Sequence, residues 1–306
     1  MRTVRVSAPA ALSSIFSPKV RGSRPEEIGA RGGGFALSEG VETLIRVREG
    51  EGVKVFVNGS EIEFPPSITA ARKVLERLGK RIGVEIHHRI KVPISTGFGT
   101  SAASALGVIL GLTAALGNPT TIQEACRITH EVELECRTGL NSEAGFISGG
   151  LVLVLREGAP PRTLVDSIPL PSSAGIVAVV AGGLETPRVL GDEEGLRRVE
   201  EIGDRHLERI LRSPSPERFL KEAREFAYES GLVTGRVEEM FEVFSRIRCV
   251  GYAQNMVGEA AHMLVEGGLE EVYREVLDYF PDYRVVASGL EQGVRMSLEP
   301  SPRTTL

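Results

Sequence analysis

At 306 residues the chain is long enough for two domains, each with its own core. Its 42% hydrophobic and 25% charged residues are ordinary for a globular protein, and a net charge of -5 offers no basic surface to nucleic acid or anionic membrane. No apolar run reaches the roughly 18 residues that an ordinary transmembrane helix needs.

Met1 to Phe16 begins with two arginines and continues apolar, superficially like a secretory signal. Pro9, Ser13 and Ser14 break the apolar part, so a strand followed by a loop is predicted instead. Strands are predicted over Thr3–Ser7, Thr43–Val47, Val53–Val57 and Ile82–Val92. Helices are predicted over Ser67–Leu78, Ser101–Leu116 and Thr121–Arg137. The last has a marked start, because Thr121 followed by Glu124 forms a capping box just after Asn118-Pro119. Gly149-Gly150 then precedes a strand, Leu151–Leu155. Gly158-Ala-Pro-Pro161 reads as a joint between two domains, 1–158 and 159–306. Beyond it come a buried strand, Ala174–Val180, and two charged helical stretches between Glu193 and Glu229. Helices over Val237–Ile247 and Ala253–Val265 follow, then a short strand near Val285 and a frayed tail, Pro300–Leu306. Cys126, Cys136 and Cys249 are scattered without CxxC spacing, which argues against a zinc site or disulfide framework and fits a reducing cytoplasm.

The most informative stretch is Pro93-Ile-Ser-Thr-Gly-Phe-Gly-Thr-Ser-Ala-Ala-Ser-Ala105. A strand leads in, two glycines bracket Phe98, and a helix opens near Thr100. Glycines allow backbone angles that other residues avoid and let N–H groups converge on an anion. The free N–H groups of the helix add positive partial charge at the same place. The stretch therefore reads as a phosphate cradle, with a tightly packed strand-to-helix turn as the plainer alternative. Neither a Walker A loop nor the dinucleotide fingerprint matches.

At 100° per residue, Ile122, Ala125, Cys126, Thr129, Val132 and Cys136 gather on one side of the third helix. Glu124, Glu131 and Glu135 fall opposite. Glu133 projects from the middle of the apolar stripe, with His130 one turn earlier on its flank. A buried carboxylate needs a cation or strong donors nearby. Pattern alone leaves two readings for Glu133, an arginine-paired residue at the helix end or a magnesium ligand beside the phosphate loop. His130 by itself reads as a helix-flank histidine with a local hydrogen bond.

The arrangement Pro93, Gly97, Phe98, Gly99, Thr100, Ser101, Ala102, Ala103 resembles the phosphate-binding signature of the GHMP kinase superfamily, with Thr100 replacing the first of two usual serines. Further stretches resemble its archaeal pantoate kinase branch: His130-x-x-Glu-x-Glu-x-x-Thr-Gly-Leu140 with Gly149-Gly150, Gly22-Ser23, Gly29 to Gly34, Phe226 to Thr234, Ala253 to Glu259 and Ser288 to Gly293. The resemblance runs from about Ser7 to Met296. It implies the two-domain α+β GHMP kinase fold, with the active site in the inter-domain cleft, and a homodimer. It also implies ATP- and Mg2+-dependent phosphorylation of pantoate to 4-phosphopantoate, a cytoplasmic step toward coenzyme A. On this resemblance ATP phosphates sit on the loop from Gly97, magnesium on Ser101 and Glu133, and pantoate on Ser23, Arg31, His130, Arg156 and Thr186. The arginine of such kinases falls nearer Val154, and two residues along a strand preserve the face, so Arg156 is the candidate substitute. The adenine region is placed around Ser60 to Ser67.

One departure bears on the chemistry. Such kinases show Thr-Gly-Leu-Gly-Asp, whose Asp is regarded as the acceptor of the substrate hydroxyl's proton. Here Thr138-Gly-Leu-Asn-Ser142 puts Ser142 there, and serine is far too weak a base. Three readings stay open: Glu143 reaches into the site through a shifted loop, no side-chain base is used because positioning and charge neutralisation suffice, or the protein binds nucleotide as a regulator without turnover. A mevalonate- or homoserine-type kinase is the alternative within the enzyme class.

Overall fold

The computed structural model describes residues 3–183, 193–291 and 293–299. Two long strands, β1 (Thr3–Lys19) and β2 (Gly29–Arg48), form an antiparallel hairpin that is the spine of the molecule. With β3 (Val53–Val57), β4 (Ser60–Glu61), β5 (Gly83–Ile90), β6 (Leu151–Arg156), β7 (Leu164–Ile168) and β12 (Arg295–Glu299) they make an eight-stranded sheet ordered β12-β1-β2-β5-β3-β4. β6 also pairs with β2, and β7 pairs with β6. A second, four-stranded antiparallel sheet has the order β11-β8-β10-β9, from β8 (Ala174–Gly183), β9 (Gly251–Gln254), β10 (Gly258–Glu266) and β11 (Arg284–Gly289). The strand after the 158–161 joint therefore still belongs to the first sheet, and the last strand returns to β1.

Helices α1 (Pro65–Arg77), α2 (Thr100–Ala115) and α3 (Ile122–Cys136) cover one part of the large sheet, closing a core around Ile45, Ile86, Leu106 and Val132. The short α4 (Gly145–Ser148) follows a 3-10 turn at Ser142–Ala144. Helices α5 (Glu193–Arg212) and α6 (Pro216–Glu229) bring Leu207, Phe219 and Phe226 to a second core that joins the two sheets through Leu12, Phe35, Ile176 and Leu264. Helices α7 (Gly235–Phe244) and α8 (Leu269–Tyr279) cover the far face of the small sheet over Val177, Val179 and Met263. No helix among the described residues is long and apolar enough to cross a membrane.

Most predicted elements lie where the sequence patterns place them; the strand predicted over Thr43–Val47 begins earlier, at Gly29, and two further differences have physical reasons. The first strand runs on through Pro9 to Lys19, because Pro9 falls at a bulge between Ala8 and Ala10 where the ladder needs no N–H. The predicted helix Ala253–Val265 is instead the hairpin of β9 and β10. Its alanines, Met263 and Leu264 favour a helix intrinsically, but β10 is buried on both faces: Ala260 and Leu264 enter one core, and Ala261, Met263 and Val265 the other. Pairing on both edges overrides local propensity. All three cysteines are free. The tail from Pro300 lies outside the described residues.

Candidate active site

The loop after β5 is held by main-chain bonds rather than by its own side chains. Ala11 N donates to Phe98 O (2.9 Å) and Ser13 N to Gly97 O (3.2 Å), so β1 grips the loop. Phe98 is buried in the core as an anchor, and Thr96 Oγ1 donates to Pro93 O at 3.2 Å. Gly97 and Gly99 have φ of 83° and 60°. A Cβ at Gly97 would lie 2.9 Å from Met256 O, and one at Gly99 equally close to Ala11 O, so no side chain fits either place. Gly99 is the N-cap of α2 and supplies no capping side chain. The first-turn N–H groups of a buried helix are thereby left for an external acceptor, with the helix dipole behind them. Ala102 and Ala103 are fully buried packing residues and Thr100 is nearly so, which leaves half-buried Ser101 as the more accessible hydroxyl of this turn.

Beside this helix lies a buried acidic cluster. Thr121 Oγ1 accepts from Glu124 N (3.2 Å), the predicted cap, and α3 then carries Glu133 inward to 1% exposure. Neither carboxylate oxygen of Glu133 has a hydrogen-bond partner of good geometry. Burial, and then the Glu143 carboxylate, push Glu133 well above its ordinary value, with Ser142 offsetting part of the effect. Glu143 is fully buried; its Oε1 meets His130 Nδ1 at 2.8 Å, and its Oε2 has no partner. His130 Nε2 donates to Ile28 O at 2.9 Å. Both ring nitrogens therefore face acceptors. Burial pushes His130 down, but Glu143 and the Ile28 carbonyl outweigh it and hold the imidazole above its ordinary 6.5. The cluster thus pairs His130 with one carboxyl group and leaves a second, Glu133, without a cation and held toward its protonated form. A hard cation with oxygen ligands fits such a set, and Mg2+ is of that kind.

The structure separates the other predicted residues. Ser142 and Arg31 line a cleft with Ala11, Phe35, Asn141 and Val154. Glu143 is absent from that lining and lies behind it, because the 3-10 turn directs Ser142 outward and Glu143 into the core. His130 likewise has no atom left for a substrate. Arg31 donates to Leu155 O (3.0 Å) and pairs with Asp204 (3.1 Å), which also holds Lys19 at 2.6 Å. Ser23 is exposed, and its N and Oγ both donate to Glu27 Oε2. Arg156 lies past a bulge that follows Val154, so the expected two-residue periodicity fails; it is exposed and donates to Arg162 O, and Val154 lines the cleft instead. Thr186 lies outside the described residues. Ser67, at the edge of the predicted adenine region, is buried against His88 Nε2 at 2.7 Å. The glycine run has a packing reason, since a Cβ at Gly34 would lie 1.9 Å from Leu12 O.

One residue that the motif reading passed over proves central. Asn141, at φ 68°, accepts from Ala30 N (2.8 Å) and Gly158 N (3.2 Å) and donates to Gly158 O (2.8 Å). It ties the start of β2, the turn bearing Ser142 and the joint after β6 into one unit. Its signal was an Asn where similar kinases have Gly, since Asn is the side chain that best tolerates this backbone region.

Residues 67–150 match the family described as the GHMP kinases N terminal domain. Over 282 residues the chain is 28% identical to the pantoate kinase of Thermococcus kodakarensis, covering 90% of this chain and 91% of that one. It is 27% identical over 241 residues to the pantoate kinase of Methanocaldococcus jannaschii, covering 78% and 84%. Among solved structures, a phosphotransferase related to the CoA biosynthesis pathway superposes with a TM-score of 0.86 at 24% identity, over 96% of this chain and 98% of that one. A homoserine kinase from Cytophaga hutchinsonii gives 0.70 at 16% identity, over 96% and 97%. These superpositions establish the α+β GHMP kinase fold, and the resemblance read from the motifs is borne out.

Proposed function

We propose that this chain transfers the γ-phosphoryl group of ATP to the primary hydroxyl of pantoate, giving 4-phosphopantoate for coenzyme A synthesis. The kinase reading is carried by the uncapped N-terminus of α2 beside the unbalanced carboxylate of Glu133. Relatives that align over most of the chain are pantoate kinases, which favours that acceptor over mevalonate or homoserine. In this reading the N–H groups from Gly97 to Ala102 receive the nucleotide phosphates. Ser101 and Glu133 hold Mg2+, which when bound neutralises charge on the transferring phosphoryl group. Arg31, the charged side chain of the cleft lining, orients the carboxylate of pantoate. Ser142 positions the acceptor hydroxyl. Glu143 serves as the counter-ion of His130 rather than as a base, and transfer proceeds by positioning and charge neutralisation, as a loose transition state allows. His130 pins Ile28 and thereby the loop carrying Ser23. The reading includes a cytoplasmic location and a homodimer, the latter tested by light scattering.

The deciding experiment is ADP release with Mg-ATP and, separately, pantoate, mevalonate and homoserine. Turnover with pantoate is expected. Turnover confined to another acid, or nucleotide binding without any turnover, overturns the reading. Arg31→Ala should raise KM for pantoate about tenfold and leave KM for ATP within about twofold, the loss of one charge-assisted contact.

A further inference from the structure

A buried chain of polar side chains runs from the large sheet through the small one to the phosphate loop, and the reaction described above does not use it. Ser14, beside the bulge between Ser13 and Ile15, turns inward, and its Oγ lies 3.0 Å from His262 Nε2 on β10. His262 Nδ1 lies 2.8 Å from Asn255 Oδ1 at the end of β9. Asn255 Nδ2 donates to Thr96 O in the loop, at 3.4 Å. Ser14, His262 and Asn255 are all 0% exposed. The direction of the bonds follows from the last one. A carbonyl can only accept, so the Asn255 amide presents N–H to Thr96 and its oxygen to the imidazole. His262 must then carry its hydrogen on Nδ1 and accept the Ser14 hydroxyl hydrogen on Nε2. A neutral ring is consistent with burial, which pushes His262 down to about 3.

The main chain repeats the connection. Met256 N donates to Ser13 O (2.8 Å) and Ser13 N to Gly97 O (3.2 Å). A Cβ at Gly258 would lie 3.3 Å from Thr96, so the β9–β10 turn presses directly on the loop. The carbonyl of Thr96 and the N–H of Gly97 belong to one planar trans peptide unit and point in opposite directions. Holding the carbonyl toward Asn255 therefore aims the Gly97 N–H away from it.

We propose that His262 is a positioning residue for nucleotide binding. It fixes Asn255, Asn255 fixes the Thr96–Gly97 peptide, and that peptide sets the first N–H of the phosphate cradle. The proposal rests on the nucleotide reading of the loop and adds a residue that touches neither substrate.

The test is ADP affinity by titration calorimetry with Mg2+, alongside circular dichroism and KM values. His262→Leu and Asn255→Asp should each weaken ADP binding about tenfold or more, as expected when a buried polar group loses its partner. KM for ATP should rise while KM for pantoate stays within about twofold, a split that general loosening of the fold would not produce. His262→Asn, which can keep an N–H near the place of Nδ1, should bind ADP within about threefold of the unmodified chain. Should His262→Leu fail to fold, Asn255→Asp decides, because its volume is unchanged. Parental ADP affinity in folded His262→Leu or Asn255→Asp overturns the proposal alone. Absence of ADP binding by the unmodified chain overturns the nucleotide reading and the proposal with it.

Discussion

Two buried polar clusters lie near the glycine loop that precedes α2, and they are built on opposite principles. In the Ser14–His262–Asn255 chain every side-chain donor meets an acceptor and no charge is present. In the Glu133–Glu143–His130 cluster Glu143 alone meets the imidazole, and three carboxyl oxygens are left without hydrogen-bond partners of good geometry. Satisfied buried groups fix a shape and ask nothing of the surroundings. A buried carboxyl group without a cation keeps its proton until something outside the chain completes it. In the proposed reading the two clusters divide the labour between holding the loop and binding a metal ion beside it.

The largest expected effect tests the charged cluster. Glu133→Gln should lower kcat about 10³-fold, the scale of losing one strong electrostatic contact to the transition state. The same variant should be more stable than the parent without metal, and increasingly so at higher pH. Glu133 is raised above its ordinary 4.5, so its contribution is fully present below that value and is lost as pH rises through the folded value. His130, raised above 6.5, acts in the same direction. Thermal melts of parent and variant from acid to neutral pH, without and with Mg2+, would check both signs. A gap that narrows as pH rises would contradict the unbalanced carboxylate.

His130→Ala comes next, because it leaves Glu143 buried with no cation. A loss of about 3–5 kcal/mol in urea unfolding is expected, and a loss under about 1 kcal/mol would mean the pair is not ionised. Gly97→Ala probes the loop that both clusters serve. Left-handed backbone together with contact against Met256 O should remove about 2 kcal/mol of stability and weaken ADP binding. Ser14→Ala should have the smallest effect, about 1 kcal/mol by denaturant titration, since it deletes one neutral hydrogen bond at the far end of the satisfied chain. A larger loss than that of His130→Ala would reverse the ranking of the two clusters.

The legible parts of the site share a feature: each is encoded within a few consecutive residues. The glycines around Phe98, the Thr121 cap and the position of Glu133 in an apolar stripe are read from neighbours three or four places away, and the structure holds each as read. The illegible parts depend on partners far along the chain. His130 belongs to Glu143 and to Ile28, 102 residues away, so its helix-flank position could not reveal that both nitrogens are taken. Arg156 kept the right parity on paper, and a bulge moved it off the cleft.

The sequence by itself determined that a strand, a glycine-bounded turn and a small-residue helix would follow one another, and that an acid on the next helix would be buried. Periodicity and capping act over single turns, and their physics is complete within the segment. The tertiary structure alone decided that Ala253–Val265 is a hairpin, that Glu143 lies behind Ser142, and that His262 reaches the loop through Asn255. Those outcomes turn on which edges and faces meet across the two sheets. Hydrogen bonds between residues more than a hundred positions apart leave no periodic trace in either segment.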